Sequence, residues 1–176
     1  MNSNMELRFL KIRDVKSPVR GTAEAAGVDF FVPNYNEKFE NDLKEKNPTI
    51  SINTVDNNEL YIKLEPGQRA LIPSGIKTWM TPGTALIAAN KSGVASKKGL
   101  IFGAQVVDSD YAGEVHISVI NTSNDTVMIK TGEKLIQFIH TPVLLTPIEE
   151  VDEYMFNALH DKSVRGEGGF GSTGVQ

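Results

Sequence analysis

The sequence contains no cysteine among its 176 residues. Disulfides, zinc–thiolate sites and thiol nucleophiles are therefore excluded together, and the composition fits a reducing compartment. Long apolar runs are also missing, because no stretch approaches the ~20 apolar residues that cross a bilayer. The opening segment MNSNMELRFLKIRD lacks the basic and then apolar parts of a signal peptide. We therefore expect a soluble protein without a membrane partner, located in the cytoplasm, or in the host cytoplasm if a virus encodes it.

A basic surface is absent as well. The formal net charge is −4 at pH 7, the lysines and arginines are scattered, and the densest pair is Lys97 with Lys98. Proteins that bind long nucleic acid usually carry a basic face, so we expect no such partner. If phosphate is bound, we expect it on a small molecule that a few placed groups hold.

Two further kinds of chemistry lack their sequence patterns. The three histidines, His116, His140 and His160, are far apart and have no metal-ligand spacing. No G-x-S-x-G turn is present, so the sequence offers no support for a serine nucleophile.

Strand patterns dominate what is present. Apolar residues alternate with polar ones in three segments, at Leu60, Ile62 and Leu64, at Val115, Ile117 and Val119, and at Val127 and Ile129. Each segment is bounded by turn-forming sequences such as EPGQ, TPGT and KTGEK. Many short strands at this spacing predict an all-β barrel or sandwich.

One polar segment, residues 34–58, interrupts this pattern. Phe39 and Leu43 are four residues apart, as on one face of a short helix. We interpret 34–58 as an insertion that forms either an excursion with a small helix or a partly disordered loop. Surface decoration and protein-partner binding are equally favoured. A second short helix is predicted from Ser92 to Gly99 with Ser92 as its cap, and a turn at 151–159.

An acidic segment, VVDSDYAGEV, is the first candidate for chemistry. Asp108 and Asp110 would share a face on a regular strand, although Asp-Ser-Asp is also ordinary turn sequence. The flanking Gly103 and Gly113 suggest a hairpin with the carboxylates near its mouth. A carboxylate close to Tyr111 is a plausible general base beside a stacking platform.

Three other segments carry weaker indications. NKSGVASKKGL places a lysine, a hydroxyl and a glycine at a predicted helix start, where backbone N–H groups can bind an oxyanion, but it is not a Walker A loop. Asp29 precedes an apolar strand and on its own suggests a turn. Gln137 lies between Ile136 and Phe138, so its amide needs partners from the backbone or from a ligand.

Taken in order, five segments resemble the five motifs of trimeric deoxyuridine triphosphatases, the dUTPases. They are AGVDFF, NKSGVASKKGL, GAQVVDSDYAGEV, GEKLIQF and RGEGGFGSTG. The last motif matches over ten residues and the third contains DSDY intact. The resemblance covers the chain apart from the insertion 34–58.

The resemblance implies a jelly-roll-like β-barrel of the β-clip kind, with one domain at 1–160 and a flexible glycine-rich lid at 161–176. It implies a homotrimer whose active sites are shared between subunits. The implied reaction converts dUTP and water to dUMP and pyrophosphate, which limits uracil incorporation into DNA and supplies dUMP for thymidylate synthesis. Mg²⁺ would bind mainly through the triphosphate, without direct protein ligands.

Residue roles follow from the same resemblance. Asp108 would be the catalytic base, Tyr111 would pack beneath the deoxyribose, and Asp29 would lie near the magnesium-bound waters. The residues implied in uracil binding are Gly103, Ala104, Gln105, Val107 and, covering the ring, Phe170. Those implied near the phosphates are Lys91, Ser92, Gly93, Gln137, Arg165, Gly169, Gly171, Ser172 and Thr173.

The chain departs from the family pattern at two positions. Lys91 stands where an arginine is usual, which replaces a planar fork with a point charge, and Gln105 stands where glycine is common. The sequence leaves two alternatives open: a dCTP deaminase-like enzyme of the same fold, and a regulatory protein that binds a partner and uses the nucleotide as a switch.

Overall fold

The structure is a computed structural model that describes residues 5–55, 59–164, 166 and 168. The chain divides into two compact units, Met1–Leu144 and Leu145–Gln176. Every strand among the described residues belongs to the first unit. The predicted division into 1–160 and 161–176 stays a prediction. Among the described residues, no helix has the length and apolar character needed to cross a membrane.

The described part of the chain contains twelve strands and three helices. The strands are β1 (Leu7–Lys11), β2 (Val19–Arg20), β3 (Gly27–Phe31), β4 (Ser51–Val55), β5 (Glu59–Leu64), β6 (Arg69–Met80), β7 (Thr84–Ala89), β8 (Leu100–Phe102), β9 (Val106–Asp108), β10 (Glu114–Asn121), β11 (Val127–Lys130) and β12 (Lys134–Pro142). The helices are α1 (Glu37–Lys46), α2 (Ser92–Lys98) and α3 (Glu153–Leu159).

The strands form three sheets in which every pairing is antiparallel. Their strand orders are β1-β6-β10-β8, β11-β5-β4 and β2-β3-β12-β7-β9. The predicted all-β class is therefore confirmed. Among the described residues the pairings give three open sheets, and no single closed barrel.

Alternating strands build the core as their sequences predict. Strand β10 alternates buried and half-buried residues along its whole length, and β5 and β11 bury every second residue. Only one face of each strand is removed from water, so buried and exposed residues alternate along it. The side chains on the buried face are almost all apolar. The turns between strands use glycines with positive φ, including Gly67 (77°) and Gly132 (75°).

The predicted helix of the insertion is present as α1. Asn36 caps it, because its side chain accepts a hydrogen bond of 2.8 Å from the N–H of Phe39. Glutamates occupy the first turn and lysines the last turn, which complements the helix dipole. Local capping and charge therefore favour a helix at this position.

The prediction that 34–58 is surface decoration is wrong. Phe39 and Leu43 are both 0% exposed and belong to the main core. The side chain of Asn47 donates to the Leu71 carbonyl at 2.9 Å and accepts from the Leu71 N–H at 2.7 Å. Strand β4 pairs with β5 along its length. The described residues of the insertion, 34–55, are thus part of the folded domain.

The second unit contains α3, where the sequence predicts only a turn. Its cap is Asp152, whose side chain accepts a hydrogen bond of 2.8 Å from the N–H of Met155. The rings of Phe156 and His160 stack with centroids 4.3 Å apart. A capping aspartate and one aromatic stack on the same face thus stabilise two helical turns.

Candidate active site

Two lysines converge on one buried carboxylate in the sheet that contains β3 and β12. Asp29 lies on β3, and only 5% of its side chain is exposed. Lys91 Nζ lies 2.5 Å from Asp29 Oδ1, and Lys134 Nζ lies 3.0 Å from Asp29 Oδ2. This lysine–aspartate cluster, Asp29 with Lys91 and Lys134, carries two positive charges and one negative charge, so it can accept a further anion.

Asp29 is a weak proton acceptor, because its environment stabilises the charged carboxylate. Burial raises the pKa of Asp29, but the hydrogen bonds from Lys91 and Lys134 outweigh this effect and hold the pKa below its ordinary value. The carboxylate is therefore ionised at neutral pH. It forms ion pairs with both lysine side chains.

Gln137 lies beside this cluster on β12, directly opposite Asp29 in the strand register. Its Nε2 donates a 3.0 Å hydrogen bond to the carbonyl of Asn90. The side chain of Asn90 in turn accepts a hydrogen bond of 3.2 Å from the N–H of Phe102. The Gln137 amide thus finds its hydrogen-bond partner in the protein backbone, at the carbonyl of Asn90 in the second motif.

The start of α2 differs from its prediction. Ser92 is the first helical residue and not the cap, because Lys91 occupies the cap position and makes no side-chain cap hydrogen bond. Lys91 instead turns back to Asp29. Both Ser92 and Gly93 are exposed, and a Cβ atom built on Gly93 would meet nothing within 4 Å. The space in front of these two residues is open to a ligand.

Asp108 ends β9 and is exposed. The N–H of Tyr111 donates to the Asp108 carbonyl at 3.2 Å, which closes a tight turn. Asp110 lies in this turn and not on a strand, so the prediction that Asp108 and Asp110 share a strand face is wrong. The alternative prediction, that Asp-Ser-Asp forms a turn, is confirmed. The Tyr111 hydroxyl donates to the Glu114 carbonyl at 3.0 Å.

Gly113 makes this turn possible. A Cβ at Gly113 would lie 2.4 Å from the Tyr111 hydroxyl oxygen and 2.5 Å from Cζ of the ring. The aromatic ring therefore rests against the backbone two residues further along. Tyr111 remains 44% exposed, so a ligand can reach it.

The predicted hairpin between Gly103 and Gly113 is also wrong. Strand β8 pairs with β10 in one sheet, whereas β9 pairs with β7 in another. Residues 103–105 connect the two sheets. Gly103 donates its N–H to the Ser118 carbonyl at 3.0 Å, and the carbonyl of Gln105 accepts from the Ala88 N–H at 2.6 Å. The side chains of Ala104 and Gln105 are exposed, and Val107 is half-buried.

The structure brings the predicted residues together in two groups within one chain. Asp108 is paired with Ala85 and Gln137 with Ala89, at opposite ends of β7. Four residues along a strand correspond to ~13 Å, and the flanking strands are about 10 Å apart across β7. The lysine–aspartate cluster with Gln137 and the Asp108 turn are therefore separate half-sites.

The remaining predicted residues lie outside the described part of the chain. They are Arg165, Gly169, Phe170, Gly171, Ser172 and Thr173. Within the described part, no group of three or more His, Asp or Glu side chains could hold a metal ion.

Sequence reasoning missed Lys134 and Gly27. Lys134 and Gln137 are three residues apart, so a regular strand would place them on opposite faces. A register shift between Lys134 and Ile136 changes this relationship. Gly27 lies in the first motif, and a Cβ there would lie 2.3 Å from Gln137 Oε1. Both residues lie inside the motifs AGVDFF and GEKLIQF, which is the signal that the sequence offers for them.

These features define an antiparallel β protein with a cationic, anion-accepting half-site and a carboxylate–tyrosine half-site. A family model described as dUTPase matches residues 57–174. The chain belongs to the dUTPase family. Asp29 lies before the matched residues, so its place in the site rests on the geometry.

Curated relatives agree with this assignment. The deoxyuridine 5'-triphosphate nucleotidohydrolase of Hahella chejuensis (strain KCTC 2396) is 39% identical over 118 residues, which cover 65% of this chain and 74% of the relative. The protein of the same name from Paraburkholderia phymatum is 40% identical over 116 residues, covering 64% of this chain and 74% of the relative.

Solved structures show the same fold. A mutant of Staphylococcus bacteriophage 80alpha dUTPase with dUpNHpp superposes with a TM-score of 0.71 at 21% identity, covering 97% of this chain and 99% of that chain. The dUTPase from Streptococcus mutans superposes with a TM-score of 0.58 at 26% identity, covering 80% of this chain and 98% of that one.

Proposed function

We propose that this protein hydrolyses dUTP to dUMP and pyrophosphate in the cytoplasm. The observation that carries the proposal is the Asp108 turn, in which an exposed carboxylate stands next to an exposed tyrosine ring. Membership of the dUTPase family and two relatives named deoxyuridine 5'-triphosphate nucleotidohydrolase support the same reaction. Removal of dUTP would limit uracil incorporation into DNA, and the product dUMP would supply thymidylate synthesis.

In this proposal Asp108 acts as the general base. Its carboxylate orients a water molecule and accepts a proton from it while the water oxygen forms a bond to the α-phosphorus. The bond from the α-phosphorus to the bridging oxygen breaks, and pyrophosphate leaves. Phosphoryl transfer depends mainly on positioning and on stabilising charge, so one exposed carboxylate is sufficient as a base.

Nucleoside recognition is assigned to the Asp108 turn and the preceding connection. Tyr111 packs beneath the deoxyribose, where a 2′-hydroxyl would not fit. Backbone groups of Gly103, Ala104, Gln105 and Val107 bind the uracil edge. The exposure of the connection 103–105 supports this role, since its remaining backbone groups can be reached from solvent.

Phosphate recognition is assigned to the other half-site. Lys91 supplies positive charge, Gln137 an amide, and Ser92 with Gly93 the exposed start of α2. The C-terminal motif supplies the remaining contacts through Arg165, Gly169, Gly171, Ser172 and Thr173, with Phe170 over the uracil ring. We propose that 161–176 acts as a lid over the bound nucleotide.

A magnesium ion fits this residue set as a companion of the nucleotide. Mg²⁺ is commonly held by substrate phosphates and one or two carboxylates, not by a protein cage. Asp29 would accept hydrogen bonds from the ion's waters, without binding the ion directly. When bound, the ion neutralises charge on the triphosphate.

A homotrimer would bring half-sites from different subunits together. Within one chain the lysine–aspartate cluster and the Asp108 turn lie at opposite ends of β7. Large apolar side chains are also exposed on β1 and β6, with Leu10 61%, Trp79 49% and Phe9 46% exposed. Such a surface is typical of an interface. Light scattering after size exclusion would establish the assembly.

The alternatives from the sequence have less support. The named relatives favour hydrolysis over deamination of dCTP. A role of 34–58 in binding a protein partner stays a prediction, because the buried part of α1 already has a function in the core.

The decisive experiment is steady-state hydrolysis of dUTP, dTTP, dCTP and UTP in the presence of Mg²⁺. We expect pyrophosphate from dUTP and little from the other three. Asp108→Asn should bind dUTP and lose about 10²- to 10⁴-fold in kcat, the usual contribution of a general base. Asp110→Asn, two residues away in the same turn, is the matched control. Ammonia release from dCTP, or normal turnover by Asp108→Asn, would reject the proposal.

A further inference from the structure

A buried arginine connects the insertion to the strand that follows the Asp108 turn. Arg13 lies between β1 and β2, and 10% of its side chain is exposed. Its guanidinium forms two hydrogen bonds to Glu114, from Nε to Oε1 at 2.7 Å and from Nη2 to Oε2 at 2.9 Å. Nη2 also lies 2.7 Å from Asp42 Oδ2 on α1.

This arrangement is specific to an arginine. Only a planar fork can bind one carboxylate through two parallel hydrogen bonds and still reach a second carboxylate. The guanidinium carbon lies 5.9 Å from the centre of the Phe39 ring, so α1 contributes both a charge and an aromatic face. The hydrogen bond to Glu114 raises the pKa of Arg13. The hydrogen bond from Arg13 is the main cause of the lowered pKa of Asp42.

Glu114 links this network to Tyr111. Its Oε1 also accepts a hydrogen bond of 2.7 Å from the N–H of Gly75. A register shift between Glu114 and His116 interrupts the pairing of β10 with β6 at this point. The Glu114 carboxylate therefore binds Arg13 while its carbonyl accepts the hydroxyl of Tyr111 at 3.0 Å.

We propose that Asp42 and Arg13 are positioning residues for Tyr111, and that α1 of the insertion thereby sets the discrimination between deoxyribose and ribose. The inference rests on the proposed function, which places Tyr111 beneath the sugar. The network fixes the Glu114 carbonyl, and the carbonyl fixes the ring through its hydroxyl. A loosened ring leaves room for a 2′-hydroxyl.

The kinetic test uses Asp42→Asn, which removes one charge from α1 and keeps the side-chain shape. The ratio of kcat/KM for dUTP to kcat/KM for UTP should fall about three- to tenfold, the usual range for a remote positioning effect. Lys44→Gln is the matched control, because it breaks the Lys44–Glu40 ion pair of the same helix without touching Arg13. The control should keep the wild-type ratio.

A double-mutant cycle separates positioning from general destabilisation. In a Tyr111→Phe background the hydroxyl is absent, so Asp42→Asn should have no further effect on the ratio. An unchanged ratio in Asp42→Asn, or an equal effect in both backgrounds, overturns the inference.

A measurement without nucleotide tests the positioning role separately from the proposed function. The ring resonances of Tyr111 are assigned by their loss in Tyr111→Phe. They should shift in Asp42→Asn and stay in place in Lys44→Gln. If the wild type does not hydrolyse dUTP, the proposed function is wrong. If the Tyr111 resonances do not shift in Asp42→Asn, the positioning role is wrong.

Discussion

Gly27 and Gln137 lie on neighbouring antiparallel strands in such close contact that a Cβ atom at Gly27 would be 2.3 Å from Gln137 Oε1. The glycine leaves room for the amide that bonds to the Asn90 carbonyl at 3.0 Å. The glycine thus allows the Gln137 contact between the second and fourth motifs, which are also joined by the ion pairs of Asp29 with Lys91 and Lys134.

Gly27→Ala should displace Gln137 and break its hydrogen bond to Asn90. We expect a loss of about 1–3 kcal/mol in the free energy of unfolding, as for other overpacked sites, and a higher KM for dUTP. Urea unfolding and steady-state kinetics measure the two effects. The control is Gly21→Ala, where a Cβ meets nothing within 4 Å. Equal behaviour of the two variants would contradict the prediction.

Lys91 should contribute to nucleotide binding through its charge. Lys91→Met is expected to raise the KM for dUTP about tenfold or more, because a hydrogen bond to a charged group is worth about 1.5–3 kcal/mol. Lys91→Arg should retain most of the affinity, since it keeps the charge and can still reach Asp29. Lys97→Met makes the same charge change on the exposed part of α2 and is the control. A wild-type KM in Lys91→Met would show that the lysine serves only Asp29.

The insertion should be required for stability. Phe39 is 0% exposed, so Phe39→Ala is expected to cost about 3–5 kcal/mol of unfolding free energy. Glu45→Ala, at an exposed position of the same helix, should change it by less than about 0.5 kcal/mol. Denaturant unfolding measures both. Wild-type stability after removal of 34–58 would contradict this account of the core.

Acid should weaken the Arg13–Glu114 pair. Burial raises the pKa of Glu114, but the hydrogen bonds from Arg13 and the Gly75 N–H outweigh it, so the pKa is lowered in the folded protein. A lowered pKa means that the stabilisation is fully present above the unfolded value of about 4.3 and is lost as the pH falls through the folded pKa.

Glu114→Gln should therefore be less stable than the wild type by about 1–3 kcal/mol at pH 7. The difference should shrink as the pH falls below about 4. Urea unfolding of both proteins at pH 7 and at pH 3.5 measures it. A difference that does not depend on pH would mean that the pair acts through packing and not through charge.

Local patterns were sufficient for much of the fold. Alternation at Leu60, Ile62 and Leu64 identified a strand with one buried face, because burial of one face imposes a period of two. Phe39 and Leu43 identified α1 in the same way through the helical period. The order of the five motifs is sufficient to indicate the family.

Long-range pairing was beyond such patterns. The segment from Gly103 to Gly113 has the composition of a hairpin, yet β8 and β9 join different sheets. Sequence spacing cannot decide this, because an edge strand pairs with whichever partner best covers its inward side chains. The insertion shows the same limit, because a polar segment with two apolar residues is typical of a peripheral loop unless the core that receives those residues is known.

The sequence by itself determined the all-β class, the family and the chemical character of the site residues, because these depend on side-chain type and local order. The tertiary structure alone decided that Lys134 joins Lys91 at Asp29, that Asp108 stands apart from Gln137, and that Arg13 connects α1 to Glu114. Each of these depends on strand register, on a bulge or on contacts between residues that are far apart in the sequence. Lys91 and Asp29, for example, are more than sixty residues apart. Register and packing are collective properties of the folded core, so no local segment contains them.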